Sequence, residues 1–200
     1  MKELSFSQCG QDRFVRRILP PQYQPPRYFL DVGCSHPFTL SNTAALEAEG
    51  WRGWMVDTDT PACLLCAQKR TASVIIADAT KYAFDALPVT LFDYLSLDVD
   101  SATLATLQNL VRCGVRFKVA TVEHDSYQNG PGPRDAMREI LRDQGYDLLC
   151  KDVLSPWDYA KLDGPTVEFE DWWIDRTQVD TSRADSMRCS KVIGLHIPSL

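Results

Sequence analysis

Acids gather at the ends of apolar runs in this chain. Asp31 closes "YFLDVG", Asp57 closes "GWMVDTD" and Asp78 follows "SVIIA". Asp98 and Asp100 close "LFDYLSLDVD", and Glu123, His124 and Asp125 close "RFKVATVEHD". Carboxylates in such places can accept hydrogen bonds from sugar hydroxyls, balance a cation, or take a proton from a hydroxyl. Asp98 and Asp100 alternate along one run, so as strand residues their side chains point the same way. Two like charges side by side are costly unless a bound cationic group or a metal balances them. Asp98, Asp100, Glu123 and His124 carry oxygen and imidazole ligands of the kind a divalent ion takes. They are assigned instead to catalysis, and no resident metal is expected. His124 can act as a general base toward a hydroxyl, or it is a structural histidine. His36, in the turn "GCSHP", either reaches a ligand or hydrogen-bonds its own backbone.

The elements that hold these residues follow from hydrophobic periodicity. "SQCGQDRFVRRIL" predicts a leading helix with Phe14, Val15, Ile18 and Leu19 on one face, and the proline cluster "PPQYQPP" breaks the chain after it. Strands are predicted at "RYFLDVG", "WRGWMVDTD", "ASVIIADAT", "LFDYLSLDVD", "RFKVATVEHD", "YDLLCKDV" and "VEFEDWWIDR". Between them lie helices at "LSNTAALEAEG", closed by Gly50, from Pro61 onward, at "SATLATLQNLVRCG" and at "RDAMREILRDQG". "YQNGPGP", residues 127–133, is expected to be a loop that closes over a ligand. Continuous apolar runs such as "SVIIA" and "FKVATV" suit strands buried on both faces. Strands alternating with helices predict an α/β fold with a mostly parallel seven-stranded sheet and helices on both faces. Ligands of such sheets bind beyond the carboxyl ends of the strands, where the acids lie.

The 200 residues suit one domain: an N-terminal helix and linker over 1–28, a core over 29–176, and an unassigned tail over 177–200. A net charge of -6 argues against a nucleic-acid partner. No apolar run has bilayer length and the N-terminus lacks a signal-peptide core, so a cytoplasmic protein without a membrane partner is expected. The cysteines at 9, 34, 63, 66, 113, 150 and 189 are odd in number and scattered, so no disulfide framework is expected. "CLLC", residues 63–66, reads as core packing because no further ligand pair completes a zinc site. Of Trp172 and Trp173, one is expected in the core and the other beside the pocket. Glu168, Glu170 and Asp171 are expected on a solvated face.

The turn after Asp31 discriminates between nucleotides. A dinucleotide site wants G-x-G-x-x-G, because the backbone must approach a pyrophosphate, and here Gly33 stands alone. S-adenosylmethionine has no phosphate. It needs a close turn for its methionine part, an acid for the ribose and a polar contact for the adenine amine. Asp31 with Gly33, then Asp57, then Asp78 occupy the ends of the first three strands, where those contacts belong. A nicotinamide-dependent oxidoreductase is disfavoured by the same turn.

The motifs "SQCGQDRFV", "DVGCSHPFTLSNT", "GWRGWMVDTD", "FDYLSLDVD" and "FEDWWID", in this order over residues 5–176, resemble the FkbM-type methyltransferases. That resemblance implies a Rossmann-like class I methyltransferase fold. It also implies S-adenosylmethionine as cofactor, and methylation of a hydroxyl on a small-molecule or glycan acceptor, such as a sugar or secondary metabolite. It places Asp31, Gly33, Ser35, Asn42, Asp57 and Asp78 at the cofactor, with His36 beside them. The chain departs from the family pattern at Pro37, Ser101 and Thr103. These departures keep open a non-catalytic binding or regulatory protein on the same fold.

Overall fold

Short strands with acids at or just beyond their ends form the parallel part of the sheet: β1 (Tyr28–Val32), β2 (Arg52–Asp57), β3 (Ser73–Ile76), β4 (Leu91–Leu97) and β5 (Arg116–Glu123). The computed structural model describes residues 4–20, 26–156 and 165–190. β7 (Thr166–Ile174) pairs antiparallel with both β5 and β6 (Asp147–Pro156). Among the described residues, the order is β3-β2-β1-β4-β5-β7-β6-β8. The seven predicted strands are all present. An eighth, β8 (Cys189–Ser190), is a two-residue addition parallel to β6, from the tail that hydrophobic patterning leaves unassigned. The chain order reverses between β1 and β4, and a crevice opens beyond their carboxyl ends.

Two apolar cores cover the two faces of the sheet. On one face, Phe14, Val15 and Ile18 of α1 (Gln11–Ile18), Leu46 of α2 (Ala44–Ala48) and Cys66 of α3 (Thr60–Lys69) pack on Phe29, Met55, Tyr94 and Val119, with Ala184 of α7 (Thr181–Ser186). On the other, Leu107 and Leu110 of α4 (Thr103–Arg112) and Met137 and Leu141 of α6 (Pro131–Asp143) pack on Leu30, Val56, Leu95 and Ala120. Adjacent strand residues face opposite sides, so Trp172 enters the first core, stacked on Phe14 at 4.4 Å, and Trp173 enters the second. Both tryptophans are buried, and neither flanks a pocket as expected.

Several elements differ from the prediction for identifiable reasons. β3 is an edge strand with exposed or half-buried residues, not one buried on both faces. β4 stops at Leu97, so Asp98 and Asp100 do not alternate along it. Asp100 begins a tight turn at φ +50°, and Thr103 pins that turn by donating its hydroxyl to the Asp100 carbonyl at 2.9 Å. The segment 127–133 is no loop: it forms most of α5 (Ser126–Asn129) and the first turn of α6, where Pro131 and Pro133 are tolerated. Glu170 and Asp171 are buried, not solvated, while Glu168 is half-buried and paired with Arg134. Cys150 and Cys189 form a disulfide between β6 and β8, against the expectation of unpaired cysteines. Cys63 and Cys66 pack in the interior, and burial pushes their thiols up, which keeps them protonated. No helix among the described residues is long and apolar enough to cross a membrane.

Candidate cofactor and acceptor site

The turn between β1 and α2 is held from below. Gly33 has φ +91°, and a Cβ there would lie 1.5 Å from the Asp98 carbonyl oxygen, so only glycine lets the turn approach the end of β4. Ser35 N donates to Asp57 Oδ2 at 3.0 Å, which ties the turn to the end of β2. His36 Nδ1 accepts from Phe38 N and Thr39 N at 3.2 and 2.9 Å, so its ring caps its own turn. Asp31 is buried, accepts the Thr43 hydroxyl, and is raised above the usual carboxylate range by that burial. Arg70, at the end of α3, donates to the Pro37 carbonyl, Ser41 and Thr43 and pairs with Glu47.

These elements surround a cavity of about 610 Å³ beyond the ends of β1, β2 and β4. Asp31, Gly33, Ser35, His36, Asn42, Asp57, Asp78, Asp98 and Asp100 all line it, so the structure brings the seven cofactor candidates together with both acids that follow β4. Among the described residues, no lysine or arginine lines it. Two buried polar atoms on its wall, Asn42 Oδ1 and Thr106 Oγ1, have no hydrogen-bond partner among the described residues. Asp78 is exposed, bonds Thr80 and Lys81, and is held down at about 2 chiefly by the Lys81 contact. S-adenosylmethionine fits this donor set. Its sulfonium and ammonium suit an acid-lined wall, its hydroxyls and amine suit the orphaned acceptors, and it brings no phosphate for which a cation would be needed.

A second cavity, of about 300 Å³, lies beside the first and shares Asp100 with it. His124, Thr103, Asn129, Pro133 and Met137 line it, so the α5–α6 segment borders it as a helical wall. Glu123 Oε2 accepts from Asp100 N at 3.0 Å, which joins the end of β5 to the turn after β4. Burial, with the neighbouring acids adding repulsion, pushes Asp98 and Glu123 upward.

His124 belongs to a different cluster from the other three catalytic candidates. Its Nε2 is 3.8 Å from both Asp152 and Asp171, beyond hydrogen-bond range, and its Nδ1 accepts from Ser126 N at 3.3 Å. With Nδ1 engaged as acceptor, the neutral ring carries its proton on Nε2 and has no free lone pair for a base. Burial lowers His124 further, against the pull of Asp171, so the neutral form prevails. Arg138 bridges Asp171 and Asp152, and Arg134 reaches Asp152 and Glu168. Arg134, Arg138 and Asp152 are not marked in the sequence because they come from α6 and β6 and meet only through packing. Gln8 and Thr106 of the cofactor cavity go unmarked for the same reason, as no local pattern singles them out.

Neither a protein-family model nor a curated protein matches the sequence. Solved structures do match. A candidate rRNA methylase from Clostridium thermocellum superposes with a TM-score of 0.55 at 14% identity, covering 86% of this chain and 97% of that one. The human methyltransferase 10 domain containing protein gives 0.54 at 12% identity, covering 82% and 80%. An rRNA methylase from Streptococcus thermophilus gives 0.52 at 13% identity, covering 82% and 92%. At these identities the likeness is one of fold, and the fold is the Rossmann-like class I methyltransferase fold.

Proposed function

We propose that this protein is an S-adenosylmethionine-dependent methyltransferase of the FkbM type, acting on a hydroxyl of a sugar, glycan or secondary metabolite. One observation carries the proposal: a cavity at the reversal point of the sheet, lined by six aspartates and, among the described residues, by no lysine or arginine. A phosphate-bearing dinucleotide would meet only negative charge there, whereas a cationic nucleoside is attracted. The motifs shared with FkbM-type enzymes support the hydroxyl acceptor, and the acidic wall with the net charge of -6 weighs against a polyanionic one such as RNA. Membrane attachment has no part in the proposal, and a cytoplasmic setting goes with it.

The bound cofactor supplies an electrophilic methyl group on sulfur. Gly33, Ser35 and Asn42 hold the methionine end, with His36 keeping their turn in shape. Asp57 accepts the ribose hydroxyls, Asp78 meets the adenine side, and Asp31 anchors the loop from beneath. Asp98 takes the acceptor's proton: its raised affinity for a proton suits a general base better than an ordinary carboxylate. Asp100 and Glu123 orient the acceptor between the two cavities, so that most of the rate comes from positioning. His124 supports that wall from behind. The single domain over 1–200 carries the whole site.

Calorimetry with S-adenosylmethionine and S-adenosylhomocysteine tests the proposal. Binding is expected for both, weakened strongly by Asp57→Ala, which removes a ribose acceptor. Silence with both ligands would end the proposal. Binding without methyl transfer across a broad panel of hydroxyl acceptors would identify the non-catalytic alternative.

A further inference from the structure

Among the described residues, two clusters bring three metal-type ligand atoms within 4.8 Å of one another: His124 with Asp152 and Asp171, and Asp100 with Glu123 and Asp125. The first already has its cations. Arg138 bonds both aspartates at 2.6 to 2.8 Å, and Arg134 adds a contact to Asp152. The second is built without any. The ion pairs among the described residues place no lysine or arginine on Asp98, Asp100, Glu123 or Asp125.

The second cluster is also sealed on its inner side. Glu123 and Asp125 are 4% and 2% exposed, while Asp100 is open to both cavities. Asp125 Oδ1 is enclosed and has no hydrogen-bond partner among the described residues. A buried carboxylate oxygen with neither donor nor cation is costly. The Asp100 N–H reaches Glu123, and the Asp98 and Asp125 carboxyls lie in hydrogen-bond reach of Glu123. The Tyr127 hydroxyl lies in reach of Asp125, yet none of these reaches Asp125 Oδ1. Three carboxylates from two strand ends, with oxygens within 4.8 Å of one another and Asp100 open to both cavities, suit an oxygen-loving divalent ion.

We propose that Asp100, Glu123 and Asp125 bind a divalent cation of the Mg²⁺, Mn²⁺ or Ca²⁺ type at the junction of the two cavities. This deepens the methyltransferase reading and rests on it for its purpose. The ion's open positions face the second cavity and take two neighbouring oxygens of the acceptor. The acceptor class narrows accordingly to vicinal diols and hydroxy acids, and the ion eases loss of the proton from the coordinated hydroxyl. The ligand set differs from the grouping that the sequence suggests: Asp125 enters it, while Asp98 drops out and His124 leaves it for the arginine-balanced cluster.

Manganese is the probe, because its electron paramagnetic resonance signal reports free ion directly. The full chain is titrated with Mn²⁺ alone and again with S-adenosylhomocysteine, whose own affinity is read by calorimetry in the same samples. One ion per chain is expected. Glu123→Gln with Asp125→Asn should weaken binding by about tenfold or more. Asp100→Asn, at an exposed position that leaves folding intact, should weaken it several-fold while S-adenosylhomocysteine affinity holds. No binding below about 1 mM Mn²⁺, or unchanged Mn²⁺ affinity in the Asp100→Asn protein, overturns the cation site. Mn²⁺ binding without S-adenosylhomocysteine binding would leave the cation site standing and remove the methyltransferase proposal. The reverse pattern would do the opposite.

Discussion

Gly33 has the least freedom to change of any residue at the site. With φ at +91° and the Asp98 carbonyl oxygen 1.5 Å from where a Cβ would sit, the position admits no side chain. Gly33→Ala is expected to cost about 1–3 kcal/mol of stability by overpacking, visible as a lower melting temperature. S-adenosylhomocysteine affinity should fall with it, because the turn must swing away from β4. Asp98 and His124 can be separated by a matched pair of variants. Asp98→Asn is expected to cut turnover by about 10²-fold or more while cofactor affinity stays within about tenfold, or ~1.4 kcal/mol. His124→Ala should keep turnover and lose melting temperature, since the ring's Nδ1 is spent on Ser126 N. Lost turnover at unchanged melting temperature in His124→Ala would return the histidine to the chemistry.

At the scale of elements, the cofactor turn depends on a side chain that lies outside it. Arg70 ends α3 yet reaches the Pro37 carbonyl, Ser41, Thr43 and Glu47, with its side chain 2% exposed. Arg70→Met leaves Glu47 and Asp31 buried without their countercharge, and is expected to cost about 3–5 kcal/mol. Adding Glu47→Leu should recover part of that loss in thermal melts; a double variant no better than the single would show that the pair is not coupled. The strands were legible because their apolar runs end in acids and are separated by helical periods, and α2 was legible at its close. There Gly50 N and Trp51 N donate to the Glu47 and Leu46 carbonyls. Asp100's departure from strand geometry was not legible, because it depends on a side-chain bond from Thr103 across the following turn. Nor was the α5–α6 segment, since Gly-Pro repeats signal a loop unless the prolines fall in a first helical turn. The Cys150–Cys189 pair joins strands 39 residues apart in sequence, and only sheet order brings those together.

Across the whole molecule, negative charge converges on one end of the sheet, and the core beneath carries part of it. Glu170 of β7 is 2% exposed, faces Glu123 in register, and accepts from Trp172 Nε1 at 2.7 Å. Burial pushes its carboxyl up to about 8, and Asp98 and Asp171 add repulsion. The folded chain therefore holds a proton that the unfolded chain releases near its ordinary value of 4.5. The stabilisation from that proton is complete below this lower value and is lost as pH rises through the folded one. Asp98 and Glu123, raised by burial, act in the same direction. Melting temperature should therefore fall between about pH 5 and pH 8, with each 1 kcal/mol appearing as about 2–4 °C. Glu170→Gln keeps an acceptor for Trp172 and removes the titrating group, so its melting curve against pH should be flatter over this window. Equal slopes in the two proteins would mean that Glu170 titrates as an ordinary surface carboxylate. A cationic ligand opposes the same loss, because it favours the ionised acids. S-adenosylmethionine should therefore raise the melting temperature more at pH 8 than at pH 5 when saturating, and a larger shift at the lower pH would contradict a cation held against these carboxylates.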